Sequence, residues 1–397
     1  MVNISSDNNF VQKNLESLCQ TVLEHDGFIH SDIEIVDTAG QSSVFFRNAD
    51  YKDFIFKIPH SLLIPYEHFD FDIENNNIVI AHINDAADPL HIQIIEKMLA
   101  IYNESGKFSH HIETTPVLQY SHYPELIKKL LSAREGPLLK VFHDVMKNKN
   151  TQDYVEELGL LSFFKSRLMQ SRLHNPENVS TAVILPVIEL MNHHNNGALF
   201  NTLYKRTPVC LATRSKQCVP DSEECFTYYG RFDSLDTLLH YGFFDDKSIF
   251  VRSIPINIEL DALGTLSIGA ANRFLKRDDI HEQYQDLSFY LPKTFFNNVL
   301  KTAKLDFALI PQNNAPLALR RVLEYAIKNL SPTLNDETLQ MYVLESENQI
   351  LEANTDYYQS LKKQCKKHKK SSFTSTISSL TDHQIHKILF YKKMHNL

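Results

Sequence analysis

The chain has 397 residues, of which 43% are hydrophobic, and its 48 acidic and 40 basic side chains give a formal net charge of -8. This length and apolar content allow about two or three domains with substantial cores. The mild negative charge argues against a generally basic, nucleic-acid-binding surface, and no stretch approaches the roughly 18 apolar residues of a membrane-spanning helix. We therefore expect a soluble protein that binds neither nucleic acid nor membranes.

The five cysteines indicate a reducing environment. They are odd in number, widely spread and without a Cys-x-x-Cys pair, at positions Cys19, Cys210, Cys218, Cys225 and Cys365. This usage favours free thiols in the cytoplasm and removes a zinc site built on paired cysteines, so no metal is expected. The polar N-terminus lacks an apolar signal core, although secretion as an effector and nuclear entry stay open.

Short strands are predicted in the first part of the chain. Three segments rich in β-branched or aromatic residues are separated by turn-type residues: Ile33–Val36, Val44–Phe46 and Phe54–Ile58. Residues 1–75 are therefore predicted to form the first part of a β-rich domain.

Residues 76–180 predict a helical insertion. Asp88-Pro89 is an N-cap followed by a first-turn proline, and apolar residues then recur at helical spacing. A second helix is predicted to begin near Pro124. A third is predicted from Thr151 to Arg172, where another apolar stripe lies.

The remaining chain repeats this order. Residues 181–255 return to short apolar segments and turns, which predict the second part of the β-rich domain. Residues 256–397 contain stripes such as Leu319, Val322 and Leu323, which predict a helical C-terminal domain. The fold class is therefore α+β, with a helical insertion dividing the β-rich domain and an all-helical domain after it.

Three motifs in the second β-rich part indicate function. Asn192-His193 follows an apolar segment, Tyr229-Gly230 comes 37 residues after Asn192, and Tyr241-Gly242-Phe243 follows soon afterwards. In this order and spacing they resemble the C-terminal half of a SET domain. The subclass with the most similar pattern contains the Rubisco large-subunit lysine methyltransferase and the actin-histidine methyltransferase. A SET domain split by a helical insertion and followed by a helical substrate-binding domain has the order of elements predicted above.

The resemblance implies S-adenosylmethionine as the cofactor. In this family the Asn and its backbone hold the methionine part of the cofactor and the His contacts the adenine end, which assigns these roles to Asn192 and His193. A short amide can both donate and accept hydrogen bonds. The same run also fits an ordinary turn, and His193-His194 has no evident partners for a metal site.

Two tyrosines match the family's catalytic positions. The hydroxyl of Tyr229 would lie beside the transferring methyl group and stabilise developing charge, and Tyr241 would line the pocket of the target lysine. The alternative is that each is a packed tyrosine with a satisfied hydroxyl. Thr227 occupies a position where many family members have Phe or Tyr, so the number of methyl groups added stays open.

The N-terminal cofactor motif matches the family only in part. Its usual Gly-x-Gly falls on Gly40-Gln41-Ser42, so the first glycine is present and the second is Ser42, and the usual basic residue is Val44. Glycine at such a position lets the backbone approach a ligand closely. Arg172 resembles an arginine that closes over the cofactor, and Ser166-Arg167 fits this pattern nearly as well.

The activity implied is methyl transfer from S-adenosylmethionine to a protein side chain. Lysine is the commoner target in the family and histidine the alternative. A lysine must lose its proton first, so its methylation should rise with pH above neutrality. The helical C-terminal domain would hold the protein substrate, and the enzyme would act as a monomer. A catalytically inactive SET scaffold that binds a partner protein is the competing interpretation.

A basic run, Lys362 to Lys370, stands apart from these motifs and contains six lysines and one histidine. Its simplest interpretation is a solvated helix end or a loose tail. Nuclear localisation or binding to an acidic partner are the alternatives.

Overall fold

The structure is a computed structural model that describes residues 2–48, 50–135, 140, 142, 153–171, 181–203, 210–275, 280–297, 299–312 and 317–396. The helices are α1 (Asn9–Glu24), α2 (Pro89–Glu104), α3 (Lys107–Thr114), α4 (Pro124–Leu131), α5 (Asp153–Lys165), α6 (Ser234–Tyr241), α7 (Ala318–Leu330), α8 (Asp336–Cys365) and α9 (Ser372–Met394). The strands are β1 (Asn3–Ser6), β2 (Phe28–Ile29), β3 (Ile33–Thr38), β4 (Gln41–Phe46), β5 (Phe54–Pro59), β6 (Ile64–Pro65), β7 (Phe69–Glu74), β8 (Asn77–Ile83), β9 (Leu168–Ser171), β10 (Thr181–Ile184), β11 (His193–Ala198), β12 (Asn201–Leu203), β13 (Cys210–Arg214), β14 (Phe250–Arg252), β15 (Ile256–Glu259), β16 (Thr265–Ile268), β17 (Thr294–Asn297), β18 (Thr302–Leu305) and β19 (Leu309–Pro311).

The chain divides into two compact units, and each is built from two separate stretches of sequence. The first unit comprises Met1–Glu113 and Asn150–Arg231, and the second comprises Thr114–Lys149 and Phe232–Leu397. No helix in the described ranges is both long enough and apolar enough to cross a membrane.

Small sheets pack around one apolar core in the first unit. Their strand orders are β1-β3-β4, β12-β13-β5-β2 and β6-β10-β9, and β7 and β8 form a separate hairpin. The core takes buried apolar residues from α1, α2 and the strands, among them Val11, Leu15, Ile35, Phe46, Phe56 and Met98. Burial of this surface is the main driving force for the fold of the unit.

The hairpin β3–β4 directs a polar pair inward. The buried positions alternate along both strands, and they are Ile33, Ile35 and Asp37 in β3 and Ser42, Val44 and Phe46 in β4. Asp37 lies opposite Ser42 in the register of the hairpin. Because every second residue of a strand faces the same side, the apolar residues that bury this face bury Asp37 and Ser42 with them.

Several predicted elements are found in the structure. The three predicted N-terminal strands correspond to β3, β4 and β5, and the predicted helix near Pro124 is α4. Helix α2 begins as expected, because the Asp88 carboxylate accepts a hydrogen bond from the backbone N–H of Leu90 at 2.8 Å and Pro89 occupies the first turn.

The helical insertion contains strands that the periodicity did not predict. The helix predicted to continue to Arg172 ends at Lys165, and β9 then pairs antiparallel with β10. The hairpin β7–β8 extends to Ile83, inside the predicted insertion. Pairing with a partner strand decides these segments, and the local spacing of apolar residues does not report it.

The second unit confirms the α+β class, with a helical C-terminal region that begins at Ala318. The predicted all-helical region from residue 256 is corrected in its first part, where β15, β16, β18 and β17 form a four-stranded sheet and β14 pairs with β19. Strands of three or four residues give too few positions for a periodicity to be read. The four-part domain division stays a prediction.

A buried cluster of charges ties the two stretches of the second unit together. Arg134 donates to Asp233 at 2.9 Å and to Asp236 at 2.7 Å, and Arg252 lies 2.8 Å from Asp236. All four side chains are at most 3% exposed. The two aspartates also form the capping box of α6, so this cluster fixes the start of that helix.

Candidate functional site

Asn192 is held by two separate segments of the first unit. Its side-chain Nδ2 donates to the backbone carbonyl of Ser42 at 3.0 Å, to Ser43 Oγ at 3.2 Å and to a carboxylate oxygen of Glu224 at 2.8 Å. A carbonyl and a carboxylate only accept hydrogen bonds, so the amide nitrogen must face them. The Oδ1 atom of this exposed side chain has no hydrogen-bond partner among the described residues, and it is therefore available as an acceptor.

His193 and Tyr229 pack against each other beside Asn192. The backbone N–H of Tyr229 donates to His193 Nδ1 at 3.1 Å, and the ring centroids lie 5.2 Å apart. The backbone N–H of Thr227 donates to the carbonyl oxygen of Asn192 at 2.8 Å. The structure thus brings Tyr229 to the adjacent pair Asn192 and His193, which precede it by more than 35 residues in the sequence.

The Tyr229 hydroxyl has a defined orientation. It donates to the backbone carbonyl of Met191 at 2.6 Å. Since its proton is given to this carbonyl, the phenol oxygen can take part in any further hydrogen bond only as an acceptor. Such an oxygen can accept a hydrogen bond from an amine and stabilise positive charge that develops on nitrogen.

His193 is expected to stay neutral well below pH 6. Burial, with a smaller contribution from His194, lowers the pKa of His193 to about 4. Because the unfolded chain binds a proton near pH 6.5, the unfolded state carries more protons between these two values, and stability falls as pH drops from about 6.5 to about 4. NMR of histidine-labelled protein, with His193→Gln for assignment, should show no titration of His193 above about pH 5. A midpoint equal to that in the urea-unfolded chain would contradict the burial argument.

The ring of His194 is engaged locally rather than arranged for a metal. Its Nδ1 accepts a hydrogen bond from the backbone N–H of Asn196 at 3.0 Å. Within the part of the chain that the structure describes, no group of three or more histidine, cysteine, aspartate or glutamate side chains is placed to hold a metal ion.

Gly40 occupies the turn of the hairpin β3–β4. Its φ is +77°, and the preceding Ala39 also has a positive φ, of +49°. A β-carbon at Gly40 would lie 2.5 Å from the carbonyl oxygen of Ser105. The glycine is therefore required both by the backbone conformation and by the close approach of the end of α2.

The Ser42 side chain points into the protein. Its hydroxyl donates to Asp37 Oδ2 at 2.5 Å and accepts from Lys107 Nζ at 2.6 Å. Asp37, Ser42 and Lys107 are all less than 9% exposed. Burial lowers the pKa of Lys107, while the carboxylates of Glu189 and Asp37 oppose that shift. The sequence pattern places a glycine at this position, and the serine side chain found there lies in a buried polar cluster. Ser42 contacts Asn192 through its backbone carbonyl.

The arginine expected to close over a cofactor lies outside the described residues, since Arg172 is not among them. The alternative, Arg167, is described. Its guanidinium is centred 3.7 Å from the centroid of the Phe163 ring and lies 3.7 Å from the Glu189 carboxylate. Glu189 precedes Asn192 by three residues, so Arg167 supports the segment that leads into the site.

Tyr241 is the last residue of α6 and belongs to the second unit. Its ring lies among Phe232 and Phe243, with centroids 5.8 and 6.1 Å away, and burial raises its pKa. The helix ends there because Gly242 adopts a φ of +78°. A catalytic pairing of Tyr241 with Tyr229 stays a prediction.

Three residues of the site were not singled out from the sequence. They are Asp37, Lys107 and Glu224. Asp37 carries a readable signal, because it stands at an inward position of a strand whose other inward residues are apolar, and a buried carboxylate requires a partner. Lys107 and Glu224 carry no such signal in the sequence, because the residues they contact, Ser42 and Asn192, lie 65 and 32 residues away.

The comparisons with known proteins give a structural similarity only. No protein-family model and no curated protein matches the sequence. The chain is similar to a structure of the SET domain of LSMT bound to lysine and AdoHcy, with 11% identity, a TM-score of 0.40, and coverage of 96% of this chain and 90% of that chain. It is also similar to Rubisco LSMT bound to AdoMet, with 12% identity, a TM-score of 0.39, and coverage of 96% and 91%.

Proposed function

We propose that the protein is a SET-type methyltransferase that transfers a methyl group from S-adenosylmethionine to a protein side chain, with lysine Nε as the first candidate target and histidine as the second. The observation that carries this proposal is the packing of His193 against Tyr229, together with the backbone hydrogen bond between the adjacent Asn192 and Thr227. The order of the motifs predicts one site for these residues, and the hydrogen bonds of 3.1 Å and 2.8 Å between their segments support that prediction.

The described residues fit the cofactor. S-adenosylmethionine, when bound, would supply an activated methyl group on a sulfonium. Asn192 would hold its amino-acid end, because the free Oδ1 acceptor suits an ammonium group. The Ser42 hydroxyl is engaged with Asp37 and Lys107 and so would not compete for the cofactor, and the backbone at Gly40 and Ser42 would complete the binding surface. His193 would contact the adenine end, and Arg172 is proposed to close over the cofactor.

Tyr229 would act on the nucleophile. Transfer of a methyl group requires a neutral amine whose lone pair is aligned with the methyl carbon. The phenol oxygen of Tyr229, with its own proton given to Met191, can accept an N–H of that amine and so orient the lone pair. Tyr241 is proposed to line the channel through which the side chain enters.

The remaining roles follow the same proposal. The second unit, with its helical C-terminal region, would hold the protein substrate, and the enzyme would act as a cytoplasmic monomer. Glu224 would be a positioning residue, because its carboxylate fixes the orientation of the Asn192 amide at 2.8 Å.

Cofactor binding is the direct test. Calorimetric titration with S-adenosylmethionine should show saturable one-to-one binding. Asn192→Ala should weaken it by at least about tenfold, since a hydrogen bond to a charged group contributes roughly 1.5–3 kcal/mol. Asn201→Ala is the matched control, because Asn201 is also exposed and its side-chain amide donates to the carbonyl of Leu199. Absence of binding at millimolar cofactor would favour the inactive scaffold that binds a partner protein.

A further inference from the structure

The basic run forms an ordered turn on the second unit. Helix α8 ends at Cys365, α9 begins at Ser372, and the segment between them changes the direction of the chain. We name residues 363–370, with the sequence Lys-Gln-Cys-Lys-Lys-His-Lys-Lys, the basic turn.

The lysines of the basic turn are free cations. Lys362, just before it, pairs with Asp382. The five lysines within the turn are exposed, and none has an ion-pair partner in the described ranges; they are Lys363, Lys366, Lys367, Lys369 and Lys370. Five like charges in eight residues repel each other. This repulsion destabilises the folded chain, so the fold by itself does not require so many lysines here.

The turn is anchored rather than loose. Tyr123 stacks on Phe373 at 5.4 Å and meets the His368 ring edge-on at 5.1 Å. Its hydroxyl lies 3.1 Å from Ser371 Oγ, and Ser371 caps α9 by accepting from the backbone N–H of Thr374 at 3.1 Å. The lysines are therefore displayed from a fixed backbone, which lowers the entropy cost of binding.

Stabilisation of the helix ends does not explain all of these lysines. Lys363 lies in the last turn of α8, where a cation favours the helix dipole. Lys369 and Lys370, in contrast, directly precede the N-cap of α9, whose first turn contains no acidic residue. Cations there are disfavoured by the same dipole.

We propose that the basic turn docks a short acidic segment of a partner protein. The inference does not rest on methyl transfer. The chain as a whole carries a net charge of -8, so a long polyanion or a flat anionic membrane would meet repulsion beyond the turn, whereas a short segment would not. The turn also contains no arginine for bidentate phosphate contacts, and the neighbouring Phe373 ring is buried, which removes that ring as a platform for base stacking.

Fluorescence anisotropy with the full chain tests this proposal. The probe is a labelled short peptide of Asp, Glu, Gly and Ser, compared with the same peptide carrying Asn and Gln in place of Asp and Glu. The acidic peptide should bind, less tightly as salt is added, and the neutral one should not. The variant K366E/K367E/K369E/K370E should lose at least about tenfold in affinity.

The control variant reverses the same number of charges elsewhere. Lys13, Lys52, Lys216 and Lys293 are exposed lysines, and K13E/K52E/K216E/K293E should change the affinity by no more than about twofold. Thermal unfolding of both variants would show that each is folded. Equal losses in the two variants, no binding of the acidic peptide, or tighter binding of a short RNA or of phosphatidylserine vesicles would each overturn the proposal.

Discussion

Replacing Tyr229 with phenylalanine is expected to reduce methyl transfer by at least about 100-fold, within the range that a positioned catalytic group contributes. The change removes only the hydroxyl, which donates to Met191 at 2.6 Å and whose oxygen is proposed to accept from the substrate amine. Cofactor affinity should stay nearly constant, because Asn192 and its three acceptors do not involve this hydroxyl. Transfer of a radiolabelled methyl group into the proteins of a cell lysate measures the effect.

The neighbouring tyrosine is the control for this prediction. Tyr228→Phe removes a hydroxyl one residue away, and its backbone N–H donates to the carbonyl of Ala198 at 2.9 Å. This variant should retain methyl transfer within about twofold, because the Tyr228 hydroxyl interacts with Arg231 and the Tyr228 ring, centred 6.2 Å from that of His193, is kept. Full activity in Tyr229→Phe, or loss in Tyr228→Phe instead, would move the catalytic role to another residue.

Replacing Arg134 with methionine is expected to destabilise the second unit by about 3–5 kcal/mol. The substitution preserves much of the volume but removes the guanidinium that pairs with both buried carboxylates, Asp233 and Asp236. Removing one partner of a buried charge cluster costs more than the pair itself contributes, since the remaining charge loses its compensation. Urea unfolding followed by circular dichroism gives the free energy change.

An exposed ion pair in the same unit provides the comparison. Arg321 pairs with Asp286, and their side chains are 36% and 62% exposed. Arg321→Met should therefore cost less than about 1 kcal/mol. Equal costs for the two arginine variants would mean that the buried cluster is already compensated by solvent or by a rearrangement.

Much of the fold was predictable from local patterns. The strands β3, β4 and β5 and the start of α2 follow from β-branched segments and from the cap at Asp88. What could not be predicted depends on partners distant in sequence. The segment Leu168–Ser171 is a strand because residues 181–184 pair with it, although its apolar spacing continues that of the preceding helix.

The site divides in the same way. The motif order predicted that Asn192, His193 and Tyr229 belong together, and the hydrogen bonds between their segments agree. The burial of the Ser42 side chain was not predictable, because a serine beside a turn is expected to be exposed. Its burial depends on Lys107, which reaches it across 65 residues, and on Asp37, which lies opposite it in the hairpin.

The interleaving of the two units sets an order for their formation on the ribosome. Arg134 belongs to the second unit, yet Asp233 is made 99 residues later. At a synthesis rate of roughly 5–20 residues per second, Asp233 is added to the chain about 5–20 s after Arg134. During that interval the segment Thr114–Lys149 has no second unit to join, while the last stretch of the first unit, Asn150–Arg231, is completed. Nascent chains stalled at the length at which Arg231 has just left the ribosomal exit tunnel should therefore contain a protease-resistant first unit and a cleavable Thr114–Lys149 segment.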